Sequence, residues 1–93
     1  VNYYLINNEA NHQYEFHIDG FIAKIEYIRK RNKIYLTHTE VPGELEGQGI
    51  ASALVKKVLE DVQQKGFEIF PLCPFVDKCI KRHPEWDFIV FKV

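Results

Sequence analysis

Tyr35-Leu-Thr-His-Thr-Glu-Val-Pro-Gly-Glu-Leu-Glu-Gly-Gln-Gly-Ile-Ala-Ser-Ala-Leu-Val55 decides how the chain is read, because its apolar residues change from a period of two to a period of 3.6 across two closely spaced glycines. The spacing predicts a strand, a glycine loop and a helix. Ala51, Leu54, Val55, Val58, Leu59 and Val62 form one apolar helical face, while Lys56, Lys57, Glu60, Asp61, Gln63 and Gln64 fall largely outside it. Gly66 supplies the stop. Lacking a Cβ, Gly47 and Gly49 let the backbone bend sharply and approach a ligand closely, and the first N–H groups of the helix emerge at the same end. This is an anion site suited to phosphate.

Spacing narrows the choice of phosphate ligand. No Gly-Lys-Ser/Thr follows the loop, which argues against a nucleoside triphosphatase. The dinucleotide fingerprint is met at Gly47 and Gly49 but has Ser52 in its third place. Although Glu68 lies downstream, 93 residues hold barely half of a dinucleotide-binding fold.

Outward from the loop, the chain reads as strands before it and a strand–helix alternation after it. Tyr3–Ile6, within an asparagine-rich start, reads as an edge strand followed by a loop. Gln13–Ile18 alternates, with Tyr14, Phe16 and Ile18 on one face and Glu15 and His17 on the other, and Asp19-Gly20 closes a tight hairpin. The returning strand, Phe21–Arg29, places Phe21, Ala23, Ile25 and Tyr27 on one face. Lys30–Lys33 then turns into a third strand, Ile34–Val41. After the helix, Phe67–Leu72 reads as a strand parallel to the third through a right-handed crossover, with Pro71 interrupting pairing near its end. Phe75–Arg82 predicts a second short helix ended by His83-Pro84, and Trp86–Val93 a last strand.

The composition, 46% hydrophobic and 27% charged, is that of one globular domain over residues 1–93. A formal net charge of -1 gives no electrostatic case for nucleic acid or an anionic membrane as partner. Cys73 and Cys79, with no second pair, suggest neither a metal framework nor a secreted disulfide scaffold. No charged-then-apolar leader opens the chain and no run is long enough to cross a bilayer, so the cytoplasm is the expected compartment, with a monomer or weak dimer as the expected state.

Gly47-x-Gly49-x-Ala51 opening an amphipathic helix after Val41-Pro42 resembles motif A of the GNAT-type N-acetyltransferases. The likeness continues through Phe67-Glu-Ile-Phe-Pro-Leu-Cys-Pro-Phe-Val76 and Arg82-His-Pro-Glu85. His-Thr-Glu-Val-Pro, the glycine loop, Pro-x-Cys-Pro-Phe-Val and His-Pro-Glu in that order resemble the small, stand-alone GNAT-like family over roughly residues 13 to 90. The resemblance implies an α/β (α+β) fold with a mainly antiparallel mixed sheet and two helices. It lacks the first two helices of larger acetyltransferases, for which Asp19-Gly20 leaves no space, so the acceptor side should be open. The implied activity is transfer of an acetyl group from acetyl coenzyme A to an amine of an unassigned acceptor, small molecule or protein.

The resemblance also implies site residues. Gly47, Gln48, Gly49, Ile50 and Ala51 would hold the coenzyme pyrophosphate through backbone amides, with Val41 in the same binding set. Ser52 adds a hydroxyl to a phosphate or only caps the helix. Arg82 and His83 are either a solvated helix end or a coenzyme phosphate contact. Cys73, at a strand end and a helix start, is either a small buried packer or a thiol that takes the acetyl group. On the third strand, the alternation puts His38 and Glu40 on one face and Thr37 and Thr39 on the other. His38 is then either a core imidazole or a proton carrier, and Glu40 loosely resembles the strand carboxylate that deprotonates the amine. Cys79 reads as core. Two departures from the pattern stand out: Glu46 replaces the usual Arg or Gln, and Cys79 replaces a usual Tyr whose hydroxyl would protonate the leaving thiolate. The second favours a rival reading, a non-catalytic acyl-coenzyme A binding module.

Overall fold

The computed structural model describes residues 3–92. One mixed sheet holds five strands in chain order, β1 (Ile6–Asn8), β2 (Gln13–Ile18), β3 (Phe21–Lys30), β4 (Lys33–Glu40) and β5 (Glu68–Pro71). Neighbours are antiparallel except β5, which runs parallel to β4 after the crossover through helix α1 (Ile50–Gln64). Helix α2 (Pro74–Arg82) follows β5. The β2–β3 turn is as tight as Asp19-Gly20 predicts: both residues have positive φ, 51° and 81°, the conformation that matches the twist of a two-residue hairpin.

Period-two residues on the sheet and period-3.6 residues on the helices meet in one core. Tyr14, Phe16, Ala23, Ile25, Tyr27, Ile34, Leu36 and Ile69 face Leu54, Val55, Val58, Leu59 and Val62 of α1 and Val76 and Ile80 of α2. On α1 the buried first-turn residue is Ile50; Ala51 is only half-buried, because the stripe begins one residue earlier than the apolar count suggests. Tyr14 Oη donates to Asp61 Oδ2 at 2.8 Å and ties α1 to β2. Burial, then this acceptor, pushes the phenol well above its ordinary range. Leu54 is fully buried at the centre, so Leu54→Ala should cost about 2–5 kcal/mol. Urea unfolding checks this: the midpoint should fall at an unchanged slope, and an unmoved midpoint would contradict the packing described.

Two sequence expectations are corrected at the ends. The edge strand is Ile6–Asn8 rather than Tyr3–Ile6, since polar partners fix it further along. Asn8 Nδ2 donates to Glu15, and Tyr27 Oη donates to Asn7 Oδ1 at 2.7 Å. The expected last strand, Trp86–Val93, does not form over its described residues, 86–92. Pro84–Ile89 winds as a 310 helix with Pro84 in its first turn, and among the described residues only Val90 bridges the sheet, to Ile69. Prolines hold φ near a helical value, and Pro84 thereby sets the first turn of this helix. Val93 and the N-terminal Asn2 lie outside the described residues.

The third correction bears on the site. The β3–β4 register shifts between Glu26 and Tyr27: Tyr27 faces Leu36 but Glu26 faces His38, so Thr37 is an extra residue. Its Oγ1 donates to Glu26 O at 3.1 Å. Such a bulge reverses which side chains face the helices. Ile34 and Leu36 point inward, and after Thr37 it is Thr39, opposite the fully buried Ile25, that points inward. His38 and Glu40 turn to the open face, with side chains 55% and 60% exposed, so the core-imidazole alternative for His38 is overturned.

Candidate functional site

The glycine loop enters from β4 through Pro42 and a 310 turn, Gly43–Leu45, anchored by buried Leu45. Gly47 and Gly49 have φ of 78° and 72°, which L side chains rarely adopt, and Gly49 is the N-cap of α1. The first helical bond of α1 is Ala53 N–H to Gly49 O, 3.1 Å. The amides of Ile50, Ala51 and Ser52 therefore precede the ladder and face the loop end. No acidic residue occupies the first turn of α1. The amides open on a cavity of about 240 Å³ lined by Val41, Leu45, Glu46, Gly47, Gly49, Ile50, Ala51, Ser52 and Phe75.

A larger groove, about 390 Å³, runs on between the two helices. It is lined by Ser52, Ala53, Val55, Lys56 and Leu59 of α1, Cys79 and Arg82 of α2, and His83, Glu85 and Trp86 beyond it. Ser52 lines both cavities, which makes one strip from Val41 to Trp86. Lys56 and Arg82 bring two cations to it. Cys79 packs half-buried against the core and also lines this groove, and its thiol is raised by burial, with Arg82 and Ser52 partly offsetting.

β4 and β5 pair only as far as Leu36 and Pro71, and Cys73 N–H then donates to Leu36 O at 2.9 Å. β4 continues to Glu40, so residues 37–40 extend beyond the end of β5. Cys73 caps α2, with Pro74 in the first turn, and is buried. Its Sγ lies 3.3 Å from Thr39 Oγ1. Burial would raise the thiol, but the Thr39 hydroxyl and the amides of Val76, Phe75 and Thr39 outweigh it and hold Cys73 below its ordinary value.

On the opposite face of β4, His38 Nε2 lies 3.6 Å from Glu40 Oε1. The register pairs Glu40 with Lys24 and His38 with Glu26, and on the far side of β3 Lys24 and Glu26 pair in turn with Glu15 and Gln13. Lys24 Nζ pairs with Glu26 at 3.0 Å. Glu15 is a buried carboxylate on this open face. Burial alone would raise it, but donation from His17, Gln13 and Asn8 holds it below the usual carboxylate range.

The residues singled out in the sequence thus fall into three groups. Val41, Gly47, Gly49, Ile50, Ala51 and Ser52 share the loop cavity, with Gln48 in the same loop but not among its lining residues. Arg82 and His83 lie on the adjoining groove. Cys73 and the His38–Glu40 pair flank β4 from opposite sides. Sequence reasoning missed Lys56, Phe75, Trp86 and Thr39. Lys56 was findable, being four residues after Ser52 and so on its face of the helix.

With this geometry in place, the chain is assigned to a family. Residues 13–89 match the family model of the GCN5-related N-acetyl-transferases, and the chain belongs to that family. The fold is also that of a GCN5-like protein from Staphylococcus aureus solved in solution by NMR, with a TM-score of 0.73 at 24% identity over 99% of this chain and 91% of that one. No curated protein sequence matches it.

Proposed function

We propose that the protein is an N-acetyltransferase that binds acetyl coenzyme A and passes its acetyl group to an amine, with Cys73 as the intermediate acceptor. The observation that carries this reading is the strip from the loop amides, through Ser52, to Lys56 and Arg82, beginning at Val41 just after the end of β4 that β5 does not pair. The residues fit the coenzyme chemically. Amides from Gly47, Gln48, Gly49, Ile50 and Ala51 suit a pyrophosphate. Ser52, Lys56, Arg82 and His83 suit an outlying phosphate, and Val41 and Phe75 give an apolar wall to the pantetheine arm. When bound, the coenzyme supplies an activated acetyl thioester.

The protein's part is nucleophile and base. The Cys73 thiolate attacks the acetyl carbon, so that a new C–S bond forms as the thioester bond breaks and the coenzyme leaves as thiolate. An amine then displaces Cys73, forming the C–N bond and breaking the C–S bond, while its proton goes to His38 or Glu40. The amine would meet both at the edge of β4 that β5 leaves free, between the thiol on the helix side and the base on the open side.

Intact-protein mass spectrometry after mixing with acetyl coenzyme A alone should show one acetyl adduct, removed by hydroxylamine and absent from Cys73→Ala. Transfer at the parent rate by Cys73→Ala would exclude the covalent route and leave direct attack by the amine. The position of Cys79 favours a second reading, a non-catalytic acyl-coenzyme A binding module, because a thiol lines the groove where the family usually has a tyrosine hydroxyl. Labelled acetyl coenzyme A with spermidine, lysine-rich peptide and free amino acids separates the two: binding without label transfer to any amine supports the module.

A further inference from the structure

We propose that Thr39 is the positioning residue that makes Cys73 a nucleophile, its hydroxyl donating a hydrogen bond to Sγ from a place it reaches only because of the bulge at Thr37. Regular alternation would turn Thr39 to the open face and His38 toward the thiol. With Thr37 inserted, Thr39 lies opposite Ile25 on the helix side, and its Oγ1 comes to 3.3 Å from Sγ. Both Thr39 and Cys73 are held there independently. Thr39 is fixed by the β3 ladder, and Cys73 by its N–H bond to Leu36 O and by Asp77 N–H donating to its carbonyl at 3.0 Å. A threonine in a strand has restricted χ1, so the donor direction is set before any ligand arrives.

No other group in the neighbourhood can take this part. From β4, His38 and Glu40 face the opposite side of the sheet. From α2, Asp77 is engaged by Lys81 at 2.8 Å, and Cys79, the titratable group coupled to Cys73, is raised by burial and stays protonated at neutral pH. From β3 the facing residue is Ile25, and Arg82 acts on Cys79. The thiolate is therefore favoured by one hydroxyl, the Thr39 amide and the amides of Phe75 and Val76 at the start of α2, instead of by an imidazole or a cation.

The inference uses the reading of Cys73 as acetyl acceptor only for its consequence, and thiol reactivity is measured without it. The rate of iodoacetamide alkylation at Cys73, located by peptide mass spectrometry, is followed against pH in the full chain. Thr39→Val keeps the shape and removes the donor, and should move the midpoint up by about one to two pH units, the scale of one hydrogen bond to a charged group. Thr39→Ser should restore the parent midpoint. Should the valine variant fold poorly, Thr39→Ala makes the same comparison. An unmoved midpoint in the variants lacking the hydroxyl, or a serine variant displaced as far as they are, would overturn the role. A shifted midpoint without any acetyl adduct would uphold Thr39 and refute the acetyl-cysteine, whereas an adduct with an unmoved midpoint would do the reverse.

Discussion

His38→Gln is expected to lower the acetyl-transfer rate by about 10²–10⁴-fold and to remove the acid-side limb of its pH profile, as loss of a general base does. An amine acceptor is protonated near neutrality and cannot attack until it gives up that proton. His38 stands on the open face of β4, more than half exposed and 3.6 Å from Glu40, where an acceptor arriving at the edge of β4 would meet it. Imidazole is the side chain most often used as a general base, which makes it the first choice over the carboxylate. The bulge gives this prediction a second readout. Since Cys73 lies on the other side of the strand, His38→Gln should slow transfer to the amine while leaving formation of the acetyl adduct at its parent rate. Full-speed transfer with an unchanged profile would make His38 structural, and equal slowing of both steps would place it with Cys73 instead.

The strand–loop–helix core was legible in the sequence because periodicity reports burial directly. The Asp19-Gly20 hairpin, the α1 stripe and the parallel β5 all follow from which residues must leave water. What periodicity cannot show is an inserted residue that changes which face the pattern addresses. Thr37-His-Thr-Glu40 alternates equally well with or without the bulge, so the sequence could pair His38 with Glu40 but not say which face they take. The same limit hid Thr39, which reads as a filler position until the register shift sets it against Cys73. The C-terminal segment failed for a different reason. Its aromatic residues have strand propensity, but Pro84 starts a 310 helix and the short chain left over meets the sheet at one bridge. Trp86 joins the groove only because the segment after α2 comes back beside α1, a meeting of parts far apart in the chain, whereas Lys56 follows Ser52 by one helical turn.

Gly49→Val is expected to weaken coenzyme A binding by about 10²–10⁴-fold. In the proposed site the amides at the start of α1 would hold the pyrophosphate, because the neighbouring side chain, Glu46, is negative and would offer it nothing. Losing two charge-assisted hydrogen bonds at about 1.5–3 kcal/mol each accounts for a change of that size. A Cβ at Gly49 meets no protein atom within 4 Å, so the side chain would enter the cavity itself without disrupting packing. It would still be strained, since φ is 72° and a side chain in the left-handed region costs about 1–2 kcal/mol. Gly66 controls for that strain: it has the same φ of 72° and the same open surroundings, but sits beyond the opposite end of α1. Calorimetric titration should therefore find Gly66→Val destabilised yet binding normally, Gly49→Val folded but unable to bind tightly, and Glu46→Gln equal to the parent or tighter. Unchanged affinity in Gly49→Val would remove the pyrophosphate from the loop, and an equal loss in Gly66→Val would assign the effect to a distorted helix rather than to the amides.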